Sequence, residues 1–233
     1  MIYFLLYHSY SVGSIEYKDS EHKIVSGCSE DLTEVVIPRS VVEIYSESQT
    51  NYAFMNCKTK IKSLQFEVNS QITKIGDYSF YQTSLETVDF SQCNLLLSLE
   101  QYVFSKCENL SSVTLPPNII TIGRECFSND KKLTSIILPD SVVILENYAF
   151  DMSGLTTITI NPTSKLEKID YMCFYWTNLI SLYIPQKVNK LDSSALAFTK
   201  IERFEVHPLN NMFKTDSKSL YSGPNNSTFF GLL

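Results

Sequence analysis

Apolar positions recur along this chain with a period much longer than that of a helix or a strand. The segments "LTEVVIPRSVVEI" from Leu32, "LSSVTLPPNIITI" from Leu110, "LTSIILPDSVVIL" from Leu133 and "LISLYIPQKVNKL" from Leu179 share one frame. It reads Leu-x-x-apolar-x-apolar-Pro-x-x-Val/Ile-x-x-Ile/Leu. The frame fits more loosely from Ile61, Leu85, Leu155 and Ile201, so eight units follow one another at steps of 22–29 residues. A second anchor precedes most of these starts by five to seven residues: Phe54, Phe80, Phe104, Phe127, Phe150 and Phe174, with Leu196 in the seventh unit. The residue just before it is short: Ala53, Ser79, Val103, Cys126, Ala149, Cys173 and Ala195. A unit of this length cannot bury its own apolar side. Successive units must stack and share one continuous core.

Within a unit the period changes. Leu-x-x-Val-x-Ile alternates, which predicts a short strand with Val35 and Ile37, Val113 and Leu115, or Ile158 and Ile160 pointing inward. Pro38, Pro116, Pro139 and Pro185 end the strands. An extended stretch with a second anchor pair, such as Val142 and Leu145, comes next. A brief helical turn is expected around each Phe, as in "ENYAF" and "GDYSF". The predicted fold is α/β: a right-handed solenoid of short parallel strands and brief helical turns. Its ends need covers. "GSIEYKDSEHKIVSG" alternates around a polar centre, with Ile15, Tyr17 and Ile24 apolar, and predicts a hairpin cap; a second hairpin is expected around "SGPNN". The expected organisation is a cap over residues 1–31, repeats over 32–221 and a second cap over 222–233. Ile2 to Tyr7 either packs on the first cap or docks a partner.

The pattern L-x-x-[IVL]-x-[IVL]-P-x-x-[VI]-x-x-I-G-x-x-[AC]-F-x-x-C-x-x-L resembles the BspA-like leucine-rich repeats of bacterial surface proteins and of a large protozoan family. "TIGRECFSNDKKLTSIILP" and "EQYVFSKCENLSSVTLP" carry the likeness most fully. "IVSGCSEDLTEVVIPRSVVEI" and "FEVHPLNNMFKTDSKSLY" resemble the first and the degenerate last unit of the protozoan branch, with Lys218 where an Asp-Gly turn is usual. The insertion "YSESQTN" before Tyr52 departs from the pattern. The resemblance implies cell-surface adhesion or recognition, as in a surface antigen.

Composition narrows the partner. Charged residues make up 19% of the chain and the net charge is −6, so nucleic acid and an anionic membrane are poor partners. No apolar run is long enough to span a bilayer, and Ile2 to Tyr7 lacks the flanks of a secretory signal. Six cysteines, Cys28, Cys57, Cys93, Cys107, Cys126 and Cys173, form no Cys-x-x-Cys pair. Cys57 and Cys107 follow an anchor Phe by three residues, and Cys126 and Cys173 just precede one. Each such pair is two units apart, about 9–10 Å by strand spacing and too far for a disulfide. All six are therefore expected to be free thiols, which fits a reducing compartment.

His8, His22 and His207 accompany no Ser–His–Asp or Cys–His grouping, acidic residues form no calcium loop, and Gly76 and Gly123 read as turn residues. No metal, cofactor or catalytic residue is assigned, and the chain is read as a non-enzyme. Asn109, Asn225 and Asn226 lie in sequons that matter only in a secreted chain.

The surface that carries information is the outward face of the strands. Alternation places Glu34, Ser63, Thr87, Ser112, Ser135, Thr157, Ser181 and Arg203 in one column. Val36, Gln65, Asp89, Thr114, Ile137, Thr159, Tyr183 and Glu205 run beside it as the candidate partner-binding face. These columns read equally as a solvated β-favouring surface or as a shallow groove for a protein or a glycan, with Ile137 and Tyr183 as apolar anchors. The expected function is a protein-interaction module in adhesion or surface recognition. An intracellular, cytoskeleton-associated scaffold is the alternative. Location and oligomeric state stay open.

Overall fold

A computed structural model describes residues 14–223 and the backbone of the strand Ser227–Gly231. The apolar segment Ile2 to Tyr7, His8, Asn225 and Asn226 lie outside the described residues. The chain forms a β-solenoid of about eight turns. Each turn offers one strand to a front sheet. Glu34–Ile37, Ser63–Phe66, Thr87–Asp89 and Ser112–Thr114 pair in parallel there, in that order. The parallel pairs Ser135–Ile137 with Thr157–Thr159, and Ser181–Ile184 with Arg203–Val206, follow.

The register is that of the repeat: Val35 pairs with Leu64, and Leu64 with Val88. Residues such as Val35, Leu64 and Leu182 are buried, while their neighbours face out. A second sheet is built from the extended stretch after the Pro. Its two-residue strands Ser98–Leu99, Thr121–Ile122, Ile144–Leu145, Lys168–Ile169 and Lys190–Leu191 pair in parallel.

The Phe anchors fill the space between the sheets. Phe54, Phe80, Phe104, Phe127, Phe150 and Phe174 are completely buried. Their rings form one stack, with successive centroids 4.5, 5.3, 5.5, 5.4 and 5.6 Å apart. The interplanar angles from Phe80 onward are only 5–9°. Each of the four inner rings meets two copies of itself, so near-constant spacing is preserved along the column.

The segment around each Phe is not helical. Among the described residues there is no helix, and the expected helical turns are corrected to pairs of tight turns. The residues two before and two after the anchor take positive φ: Tyr78 and Gln82, Tyr102 and Lys106, Glu125 and Asn129, Tyr148 and Met152, Met172 and Trp176. The physical reason lies in where the alternate N–H groups point. In the second unit, Ser79, Tyr81 and Thr83 donate within the turn to Gly76, Tyr78 and Phe80. Tyr78, Phe80 and Gln82 donate instead to the carbonyls of Gln101, Val103 and Ser105 in the next unit, at 3.2, 3.0 and 3.0 Å. A helix would spend every N–H on its own carbonyls. Here every second one joins unit to unit, making a third ladder beside the two sheets. The residue before the Phe is short because its carbonyl sits in that ladder, against the preceding anchor.

Two antiparallel assemblies flank the repeats. Ile15–Tyr17 pairs with Ile24–Cys28, and Ile24–Cys28 joins the sheet of Glu43–Ile44 and Lys74–Ile75. At the other end Phe213–Thr215, Ser219–Ser222 and Ser227–Gly231 form an antiparallel sheet. Asn210, fully buried, ties this end to the last turns. Its amide donates to the carbonyls of Pro185 and Val188, and its oxygen accepts from the N–H groups of Met212 and Phe213. The inserted segment before Tyr52 is a small antiparallel hairpin of Ser46–Ser48 and Asn51–Tyr52.

The expectation of six free thiols fails at one pair. Cys28 and Cys57 form a disulfide, with Cα atoms 6.0 Å apart. Cys93, Cys107, Cys126 and Cys173 are free and buried. The spacing argument excluded partners two turns apart and left out Cys28, which precedes the first repeat. Cys28 ends the capping strand and lies 29 residues, one turn of the solenoid, before Cys57. One turn brings backbones within disulfide reach; two do not.

Candidate binding face of the front sheet

Strand register decides which side chains share a surface. Val36 lies beside Gln65, Gln65 beside Asp89 and Asp89 beside Thr114 in the first four strands. Ile137 pairs with Thr159, and Tyr183 with Glu205. All but Tyr183 are exposed. Val36 and Ile137 stand out, since 51% and 66% of their surfaces remain open to water. Tyr183 is half-buried and packs against the core, and burial together with the Glu205 charge raises its phenol pKa. The companion column from Glu34 to Arg203 is also in register, and Arg203 forms an ion pair with Glu205 at 3.0 Å. The result is a face in three in-register segments, rich in Ser and Thr, with two exposed aliphatic residues. Short side chains lose little conformational entropy on contact.

Two clefts lie elsewhere among the described residues. The larger, about 390 Å³, is lined by Glu100, Gln101, Arg124, Glu146, Asn147 and Asp170. Its carboxylates already have partners: the Ser98 hydroxyl donates to Glu100, the Arg124 N–H to Glu146, and Lys190 pairs with Asp170. The smaller, about 200 Å³, lies between the first cap and the inserted hairpin, where the Lys18 ammonium sits 3.3 Å over the Tyr45 ring. Among the described residues no group of three His, Cys, Asp or Glu is placed to hold a metal ion, and no helix is long and apolar enough to cross a membrane.

Two features escaped the sequence reading. The first is Asp130, which occupies in the fourth turn the place that Cys57 and Cys107 occupy in theirs, three residues after the anchor Phe. Its side chain is completely buried. One carboxyl oxygen accepts the Cys107 N–H at 2.8 Å, and the other has no partner. The spacing from Phe127 was visible, but a lone acid in a surface-coloured stretch gave no sign of burial. Burial holds its carboxyl well above its ordinary value of 3.8. The folded chain therefore keeps a proton that the unfolded chain releases. The stability this residue contributes is fully present below the ordinary value and is lost as pH rises through the folded value. Asp130→Asn should match the parent in acid and exceed it at neutral pH, where the parent must take up a proton to fold and the amide need not. Urea midpoints of both proteins from acid to neutral pH check this; a gap that does not widen with pH contradicts it.

The second is an exposed aromatic group on the turn side, formed by Tyr175, Trp176 and Phe198. Nothing in the repeat pattern singled out these positions.

The sequence matches the BspA type leucine rich repeat region in six copies, over residues 21–129 and 97–222. The chain belongs to this family of repeats, a fold typically used as a non-catalytic protein-interaction module. Among solved structures it is similar to a leucine rich cell surface protein from Faecalibacterium prausnitzii, with 21% identity, a TM-score of 0.44, and 84% of this chain and 44% of that one covered. It is also similar to the pneumococcal vaccine antigen PcpA, at 17% identity and TM-score 0.48, with 78% and 64% covered. A leucine-rich repeat protein from Bacteroides ovatus matches at 19% identity and TM-score 0.42, with 85% and 66% covered. The chain thus spans less than two thirds of the length of each. No curated protein matches it.

Proposed function

We propose that this chain is a non-enzymatic recognition module that works at the cell surface or outside the cell and holds a protein partner on the front sheet. The observation that carries the reading is the outer column from Val36 to Glu205, in register within each of its three sheet segments, whose aliphatic members Val36 and Ile137 are more than half exposed with nothing to cover them among the described residues. Exposed large aliphatics on an otherwise polar strip mark contact points. Ile137 and Tyr183 are the anchors, and adhesion is the activity such a surface serves. The Cys28–Cys57 disulfide favours an oxidising location over the intracellular scaffold reading, because such bonds persist outside reducing compartments. Labelling of intact cells with a membrane-impermeant biotin reagent tests the location. The chain should be labelled before lysis; labelling only after detergent release would favour the scaffold.

A further inference from the structure

The third ladder, on the turn side, has an open end. In each central turn the anchor N–H and the one two residues later donate to the next turn. The last such pair is Phe174 to Ala195 at 2.9 Å and Trp176 to Ala197 at 3.0 Å. One turn further on, the equivalent N–H groups belong to Leu196 and Phe198, and among the described residues neither has a backbone partner. The capping strands beyond Arg203–Val206 pack on the sheet side of that turn.

The side chains change at the same point. The place two residues after the anchor is filled by Gln82, Lys106, Asn129 and Met152, then by Trp176 and Phe198. Trp176 is 59% exposed and Phe198 71%, their rings lie 5.8 Å apart at 27°, and Tyr175 meets both edge-on. Both backbones are held at positive φ, 53° and 60°, so the rings are displayed on a fixed frame. The Leu196 side chain is buried in the core, so the unpaired donor that coincides with the exposed rings is that of Phe198.

We infer that this rim, formed by Phe198, Trp176 and Tyr175, docks an extended peptide segment of a partner protein that supplies a backbone carbonyl and one aromatic side chain. The structure already shows the geometry of such a contact. The segment around Ala197 and Phe198 offers a carbonyl to the Trp176 N–H and lays the following ring on Trp176. A docked peptide would repeat that step, giving a carbonyl to the Phe198 N–H and a ring to Phe198, a form of strand addition to an open edge.

Other occupants fit less well. Two exposed rings bury about 300–500 Å² at most, short of the ~800 Å² per partner of a stable dimer. A bilayer surface of anionic lipid is disfavoured by the net charge of −6. This rim lies apart from the front sheet, so the inference stands independently of the proposed partner face.

Trp176 is the only tryptophan of the chain, and its fluorescence reports directly on the rim. The probe is the synthetic octapeptide Ser-Ser-Ala-Leu-Ala-Phe-Thr-Lys, copied from residues 193–200, titrated into the intact chain. A saturable change in Trp176 emission is expected. It should weaken about tenfold or more in Phe198→Ala, or when the peptide's Phe is replaced by Ala, and be unaffected by Ile137→Glu. Phe198 is exposed, so its removal leaves the fold standing. No saturable change up to about 1 mM peptide, or equal binding to Phe198→Ala, would overturn the inference. So would a change given by maltohexaose or cellohexaose in place of the peptide, which would make the rim a glycan site.

Discussion

Phe127→Ala is expected to destabilise the chain by ~3–5 kcal/mol, the usual cost of deleting a buried aromatic ring. The size of the effect follows from what holds the neighbours apart. Phe127 is completely buried between Phe104 and Phe150, with centroids at 5.5 and 5.4 Å. Collapse onto the cavity would need those rings to approach each other, but their backbones are fixed by the ladder. Phe104 donates to the Cys126 carbonyl at 2.9 Å and Phe127 to the Ala149 carbonyl at 2.8 Å. The cavity therefore stays open, and the cost sits at the upper part of its range. Phe150→Ala should behave alike, while Phe198→Ala, exposed to solvent, should change stability by less than ~0.5 kcal/mol. Denaturant midpoints measure all three. An unchanged midpoint in Phe127→Ala would mean that the ring column does not hold the turns together.

Loss of the Cys28–Cys57 bond is the second large effect. The bond closes a loop of 29 residues in the unfolded chain, and loop-closure entropy makes that worth about 3–4 kcal/mol. Both sulfurs are buried, and the bond joins the last residue of a capping strand to the first full repeat. The double variant Cys28→Ala/Cys57→Ala should unfold at a lower denaturant concentration than the parent. Reductant should lower the parent's midpoint towards the variant's and leave the variant's unchanged. Thiol titration of the denatured, unreduced parent should find four groups, matching the four free cysteines. Six would show that the bond does not form and would restore the reading from spacing alone.

The contrast between these two predictions shows where the sequence was legible. The Phe column could be read because it recurs in phase; any regular stack of units must put an in-phase apolar residue in the shared core. The front-sheet register could be read for the same reason, since one Leu-x-x-Val-x-Ile frame fixes which side chains face out. The helical turns were misread because the local string "ENYAF" suits a helix, while the choice between helix and paired turns is made by carbonyls of the next unit, which local sequence does not show. The disulfide was missed because phase was counted from the anchor Phe, which Cys28 lacks, although Cys28 and Cys57 each lie four residues before a unit start, at Leu32 and Ile61. Asp130 was missed because its burial depends on the column it stands in and not on its own chemistry.

Of the candidate face, the sequence located the residues, and strand pairing gathers them as neighbours within each sheet segment. What it could not give was their relative exposure. Tyr183 is half-buried against the core where Ile137 is open, so Ile137 is the more direct probe of a partner.

The central claim, that the front sheet is the working surface, is tested most directly by site-specific photo-crosslinking in living cells. A benzophenone amino acid placed at Ile137, 66% exposed on the front sheet, is compared with one at Ile120, 40% exposed on another side of the solenoid. The account predicts a discrete protein adduct from position 137, lost when Tyr183→Ala is added, and none of that size from position 120. An adduct from position 120 alone, with position 137 silent, would contradict it.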